Sequence, residues 1–146
     1  MNREITRIAS IDEAIELLQP IDVEYYHLSA TVDESGQQPD DDSEDDEQAQ
    51  VHVATARRVG ESDVDYRCRL TVQIRGAEIV VDGAILYRAD SEIEVARSVC
   101  EQFGDDIAVM ALFPYLRQAV SDLADRIGRT VTLPLVRRGQ IRFSQE

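Results

Sequence analysis

The stretch Val64–Ile74 alternates without a break. Val64, Tyr66, Cys68, Leu70, Val72 and Ile74 are apolar, and the residues between them and after them, Asp65, Arg67, Arg69, Thr71, Gln73 and Arg75, are polar. Successive side chains of a strand point to opposite faces, so one face of this strand meets a core and the other meets water, as in an antiparallel sheet. Gly76 supplies a tight hairpin, and Glu78–Arg88 returns as a strand apolar on both faces. Ile79, Val81, Ile85 and Tyr87 lie on one, Val80, Ala84 and Leu86 on the other, and Gly83 allows a bulge. A strand of that kind is sandwiched or meets another subunit.

Two further strands are predicted, Ile21–Val32 and Val51–Val59, both rich in β-branched residues. In the first, the apolar side changes at Tyr25–Tyr26, which a bulge would produce. Between them, Asp33–Glu47 holds nine acids and no base. Like charge at that density does not fold on its own, so a mobile acidic loop is expected over about 33–50. A calcium loop fails on pattern. With Asp40 first, Asp45 stands where glycine is needed and Val51 where a bidentate glutamate is needed.

Helices are predicted at both ends of this sheet. Ile8, Ile11, Ile15 and Leu18 recur at helical spacing over about 5–19, and Pro20 ends the run. Ser91–Phe103 reads as a helix with Ser91 and Glu94 as a capping box, broken by Gly104-Asp105-Asp106. Pro114–Gly128 carries Leu116, Ala119, Val120, Leu123 and Ile127 on one face, with Pro114 opening the helix and Gly128 as its C-cap. Val131–Leu135 is extended and apolar. The expected fold class is α+β: a four-stranded antiparallel meander sheet with helices packed on one face, in a single domain spanning 1–146.

Composition removes several function classes. The net charge is -14, but without the acidic run 20 acids face 15 bases, and no basic footprint for nucleic acid remains. All 15 bases are arginine, so neither a Walker lysine nor a Schiff-base lysine exists. Cys68 and Cys100 lack metal or redox spacing and read as buried small hydrophobes. His27 and His52 have no partner ligands for a zinc site, and no Ser-His-Asp pattern or nucleophile elbow occurs. No cofactor or metal and no enzymatic activity are expected. The longest apolar run, Ile107–Phe113, is too short to cross a bilayer, and no apolar leader follows Met1. A cytoplasmic protein without membrane insertion is the expectation.

The run Ala111-Leu112-Phe113-Pro114-Tyr115-Leu116-Arg117, followed by a helix and then Leu133-Pro134-Leu135, resembles the signature of the SecB family of protein-export chaperones. The order of elements over about 25–135 is also similar to that family, including the long loop between the first two strands of the sheet. The extra N-terminal helix and the wording of the motif look more like the SecB-like chaperones that accompany toxin-antitoxin systems.

The resemblance implies a homotetramer, a dimer of dimers, that holds unfolded clients in apolar grooves for export or holds a partner antitoxin. It implies client contacts from Tyr25, Tyr26, Leu28, Val51 and Val53 beside the acidic loop. It also implies contacts from Leu133, Leu135, Val136 and Phe143 of the C-terminal segment. Leu116, Val120, Leu123 and Ile127 would pack between dimers, and Phe113 and Tyr115 would wedge the helix onto the sheet. Two departures bear on the export machinery as a partner. The polar face of the third strand carries Arg67, Arg69 and Arg75 where the export chaperone is acidic, and no Cys/His-bearing tail follows. The alternative function is a non-catalytic interaction module with one dedicated folded partner.

Overall fold

The computed structural model describes residues 4–33, 50–131 and 133. In chain order the elements are β1 (Ile5–Ile8), α1 (Ile11–Leu17), β2 (Gln19–Val32), β3 (Gln50–Val59), β4 (Asp63–Ile74), β5 (Ala77–Arg88), β6 (Glu92–Val95), α2 (Arg97–Phe103), a π-helical turn (Gly104–Ala108) and α3 (Val109–Arg126). The class is α+β with a four-stranded antiparallel sheet, as expected. The expected acidic loop falls on 34–49, outside the described residues apart from its flanks.

The strand order is β2-β5-β4-β3, which is not a simple meander. β3, β4 and β5 follow one another in space, but β2 pairs with β5 at the far edge. The reason lies in β5. It is apolar on both faces, and a meander would leave it on an edge with one flank in water. Pairing with β2 makes it central, and nearly all of it is buried. Val32 and Gln50, which flank the acidic segment, therefore stand on opposite edges of the sheet, three strand spacings or about 14 Å apart.

The single helix expected over about 5–19 is instead β1, α1 and the start of β2. Likewise, Ser91 does not cap a helix. It leads into β6, and α2 begins at Arg97. Both differences have one cause, because β1 and β6 pair with each other in parallel, Ile5 against Glu92 through Ile8 against Val95. The Thr6 and Ser91 hydroxyls meet at 2.9 Å. Pairing buries Ile8 and Ile93, which no local helix would do. α1 is capped by Ser10, whose hydroxyl accepts from the Glu13 amide, while the Glu13 carboxylate accepts from the Ala9 amide.

Gly104-Asp105-Asp106 does not break the helix but widens it by one π turn, so the chain stays helical from Arg97 to Arg126. Pro114 therefore sits inside α3 rather than opening it. The helix ends as expected at Gly128, at φ 72°, with the Arg129 amide reaching back to the Ala124 carbonyl.

The helices cover the inner face of the sheet, built from Val64, Tyr66, Cys68, Leu70 and Val72 of β4 and Ile79, Val81, Ile85 and Tyr87 of β5. Tyr66 and Tyr87 both pack on Phe103, at ring separations of 5.8 and 4.8 Å. The Tyr66 hydroxyl donates to the Cys100 carbonyl at 2.7 Å. α3 crosses β5 and β2 at Gly83, where an added Cβ would stand 3.1 Å from Leu116 Cδ2 and 3.2 Å from the Glu24 carbonyl oxygen. Gly83→Ala is therefore expected to destabilise the fold by about 1–3 kcal/mol in urea unfolding, through overpacking rather than lost contact.

Burial pushes the Tyr87 hydroxyl and the Cys68 thiol up to about 12, and raises Tyr66 further. These groups ionise earlier in the unfolded chain, near their ordinary values of 10.0 and 9.0. Their contribution to stability is therefore complete below about pH 9 and fades as pH rises toward about 12. The urea midpoint is expected to stay level with respect to these groups up to about pH 9 and to fall above it.

Candidate functional site

The bulge expected at Tyr25–Tyr26 is present. β2 slips register between Tyr25, opposite Gly83, and His27, opposite Asp82. The slip has two consequences. It returns Leu28, Ala30 and Val32 to the inner face that Val23 and Tyr25 already share, and it puts Tyr26 on the outer face. Tyr25 reaches α3, where its hydroxyl donates to the Tyr115 carbonyl at 3.2 Å. Ile21, Tyr25, Leu28 and Val32 remain exposed along this edge. A cleft of about 570 Å³ separates β2 from α3, lined chiefly by Pro20, Ile21, Val23, Tyr25, Ala111 and Tyr115.

The second exposed apolar edge is β3. Its inner face carries Val51, Val53, Thr55, Arg57 and Val59, opposite Val72, Leu70, Cys68, Tyr66 and Val64 of β4. Val51 packs on the core, whereas Val53 and Val59 are 43% and 47% exposed. The helices pack on β5 and β2, which leaves the inner face of β3 less covered. The Arg57 side chain points inward too, is only 5% exposed, and pairs with Glu101 of α2 at 3.6 Å.

Tyr26 belongs to neither edge. The Arg67 guanidinium lies 4.4 Å over its ring, and its hydroxyl donates to Glu24. Arg67 also grips Asp82 with two hydrogen bonds, at 2.8 and 2.9 Å, and Arg69 approaches the same carboxylate at 3.7 Å. Asp82 is 2% exposed, sealed on the outer face by these arginines. Tyr26 thus lies on the outer face beside an internal ion pair, apart from the two edges, and is itself 49% exposed. Arg67 and Arg69, read from the sequence as part of the polar face of this strand, share the one Asp82 carboxylate and stay about half exposed.

Burial places several other expected residues. Leu116 and Val120, expected between dimers, face the chain's own sheet and are fully buried against it. The apolar stripe on that helix is explained by β5 and β2, while Leu123 and Ile127 are half-buried against the same core. Leu133, expected as a client contact, is 6% exposed and joins the core. It lines, with Val131, Pro114 and Arg117, a second cleft of about 390 Å³. Leu135, Val136 and Phe143 lie outside the described residues. Phe113 is buried as expected, but Tyr115 is 51% exposed. The sequence reading missed Ile21, Val32, Val59, Met110 and Tyr115 as exposed apolar residues. Val59 had a signal, because it continues the inner alternation of Val51 and Val53. The remaining chemistry is sparse: among the described residues no group of three or more His, Cys, Asp or Glu could hold a metal.

No protein-family model matches the chain. A curated relative, the SecB-like chaperone SmegB of Mycolicibacterium smegmatis, is 31% identical over 107 residues, covering 72% of this chain and 70% of that protein. The chain belongs to the SecB-like chaperones. Among solved structures, the Mycobacterium tuberculosis Rv1957 SecB-like chaperone in complex with a ChAD peptide from the Rv1956 HigA1 antitoxin matches with a TM-score of 0.67. The match has 18% identity and covers 86% of this chain and 92% of that chain. At that identity the likeness concerns the fold. No described helix of this SecB-like chaperone is long and apolar enough to cross a membrane.

The outer-face ion pair has an asymmetry that can be measured. Asp82 is buried while the Arg67 side chain is about half exposed. Removing the carboxylate lets the arginine turn to water, but removing the arginine strands a buried charge. Arg67→Met is expected to cost about 2–3 kcal/mol and Asp82→Ala about 1 kcal/mol, read by chemical denaturation at pH 7.

Proposed function

We propose that this SecB-like chaperone is a holding chaperone that works without ATP and binds extended, unfolded segments along its two exposed inner-face edges. The observation that carries the reading is the set of uncovered apolar residues there: Ile21, Tyr25, Leu28 and Val32 on β2, Val53 and Val59 on β3. Water exclusion from such side chains contributes about 25 cal/mol per Å² buried and needs no sequence code in the client. Two edges, repeated in an oligomer, add avidity for a long chain. The assembly we infer is a homotetramer in the cytoplasm, with one domain per chain and no catalytic role.

Among its clients we favour an antitoxin over export precursors. The Rv1957 relative was solved with an antitoxin peptide. In addition, Arg67 and Arg69 of the outer face are engaged with Asp82 rather than offered to the export machinery.

Calorimetric titration with a reduced, permanently unfolded model polypeptide, with light scattering for mass, tests this. Wild-type protein is expected to bind with a Kd of about micromolar or tighter. Val53→Asp and Leu28→Asp are expected to weaken binding about tenfold or more with an unchanged mass, because each puts a charge where apolar surface is to be buried. A well-folded wild-type oligomer that ignores unfolded chains, and is recovered with one folded partner instead, would replace this reading with that of an interaction module.

A further inference from the structure

Arg57 is out of place by the usual logic of strands. It lies on the inner face of an edge strand between two exposed valines, yet its own side chain is nearly sealed from water. Its register explains this. Arg57 stands directly opposite Tyr66 on β4, and both side chains reach the same turn of α2. The Tyr66 hydroxyl bonds the Cys100 carbonyl, and the Arg57 guanidinium meets the carboxylate of the next residue, Glu101. Arg97, one turn earlier on α2, holds that same carboxylate at 3.4 Å. The Arg57 side chain thus spans from the edge strand to the helix layer, at the place where the sheet's inner face is least covered.

We propose that Arg57 and Glu101 form a strut that fixes the separation between β3 and α2 and keeps Val53 and Val59 presented to a client. Both are positioning residues, and the proposal rests on the holding-chaperone reading for what the valines bind. A buried ion pair is a poor source of stability, since its desolvation offsets most of its attraction, and replacing both partners by apolar residues of similar volume is often neutral. What such a pair supplies is a defined geometry between two elements. The strut therefore separates stability from binding, which a residue serving the core alone does not.

The test compares wild type, Arg57→Met, Glu101→Gln and the exchanged double variant Arg57→Glu/Glu101→Arg. Three readouts are taken: affinity for a reduced, carboxymethylated model polypeptide, the thermal midpoint, and amide exchange across Val53–Val59 in the free protein. Arg57→Met leaves Glu101 part-exposed beside Arg97 and is expected to keep its thermal midpoint within about 3 °C of wild type, whereas Glu101→Gln strands the nearly sealed Arg57 guanidinium and is expected to lower it. Both single variants are expected to bind the polypeptide at least about fivefold more weakly and to exchange faster in Val53–Val59, with the double variant recovering both toward wild type. Wild-type affinity and exchange in Arg57→Met would overturn the strut. So would losses of binding that track the thermal midpoint with no recovery in the double variant, because that pattern marks a plain core residue. If wild type itself binds no polypeptide, the chaperone reading falls. The exchange data then decide the strut alone, faster exchange in the single variants supporting it and unchanged exchange overturning it.

Discussion

The arrangement depends on the close approach of three elements at Gly83. At this point of β5 the helix α3 comes down through Leu116, and β2 closes from the side through Glu24 and Tyr25. The absent side chain lets three elements share one spot. The bulge in β2 falls opposite the same residue, so the strand turns its apolar row inward as it passes. Helix placement, edge-strand register and the exposure of Tyr25 and Leu28 are three results of one contact. Because α3 is centred over β5 and β2, the inner face of β3 is left with less cover, and that is where Val53 and Val59 meet water.

Charge in the folded part is arranged to cancel locally. Arg67 and Arg69 close over Asp82, Arg58 bonds Asp65 at 2.8 Å, and Arg57 meets Glu101. Arginine suits this work, because its planar fork can hold a carboxylate in two bonds while its face rests on an aromatic ring, as Arg67 does on Tyr26. The exposed edges of β2 and β3 carry apolar side chains beside these local ion pairs.

Much of this was legible in the sequence where the information is local. The alternation of β4, the two-sided β5, the bulge at Tyr25–Tyr26 and the glycine cap at Gly128 each follow from side-chain period or backbone freedom within a few residues. The failures are of another kind. Ile5–Ile8 and Glu92–Val95 pair across more than 80 positions, and each alone carries too few residues to betray a strand. The meander was wrong because sequence period fixes faces, not neighbours. An apolar helix stripe states that something is buried without saying against what, so Leu116 and Val120 read equally well as an interface. Where Tyr26 and Leu133 come to lie, on the outer face beside Arg67 and in the core beneath α3, is likewise decided only by the tertiary fold. Membership of the SecB-like chaperones was legible through the Phe113-Pro114-Tyr115 motif and the order of elements, as the relationship to SmegB shows.

The central claim is that recognition happens along the inner-face edges, not on the arginine-lined outer face. Hydrogen exchange with and without a saturating unfolded polypeptide tests that location directly. New amide protection is expected across Val53–Val59 of β3 and Ile21–Leu28 of β2, with β4 unchanged. Protection absent from both edges, in a complex whose formation is verified by mass, would contradict it and move the binding surface elsewhere.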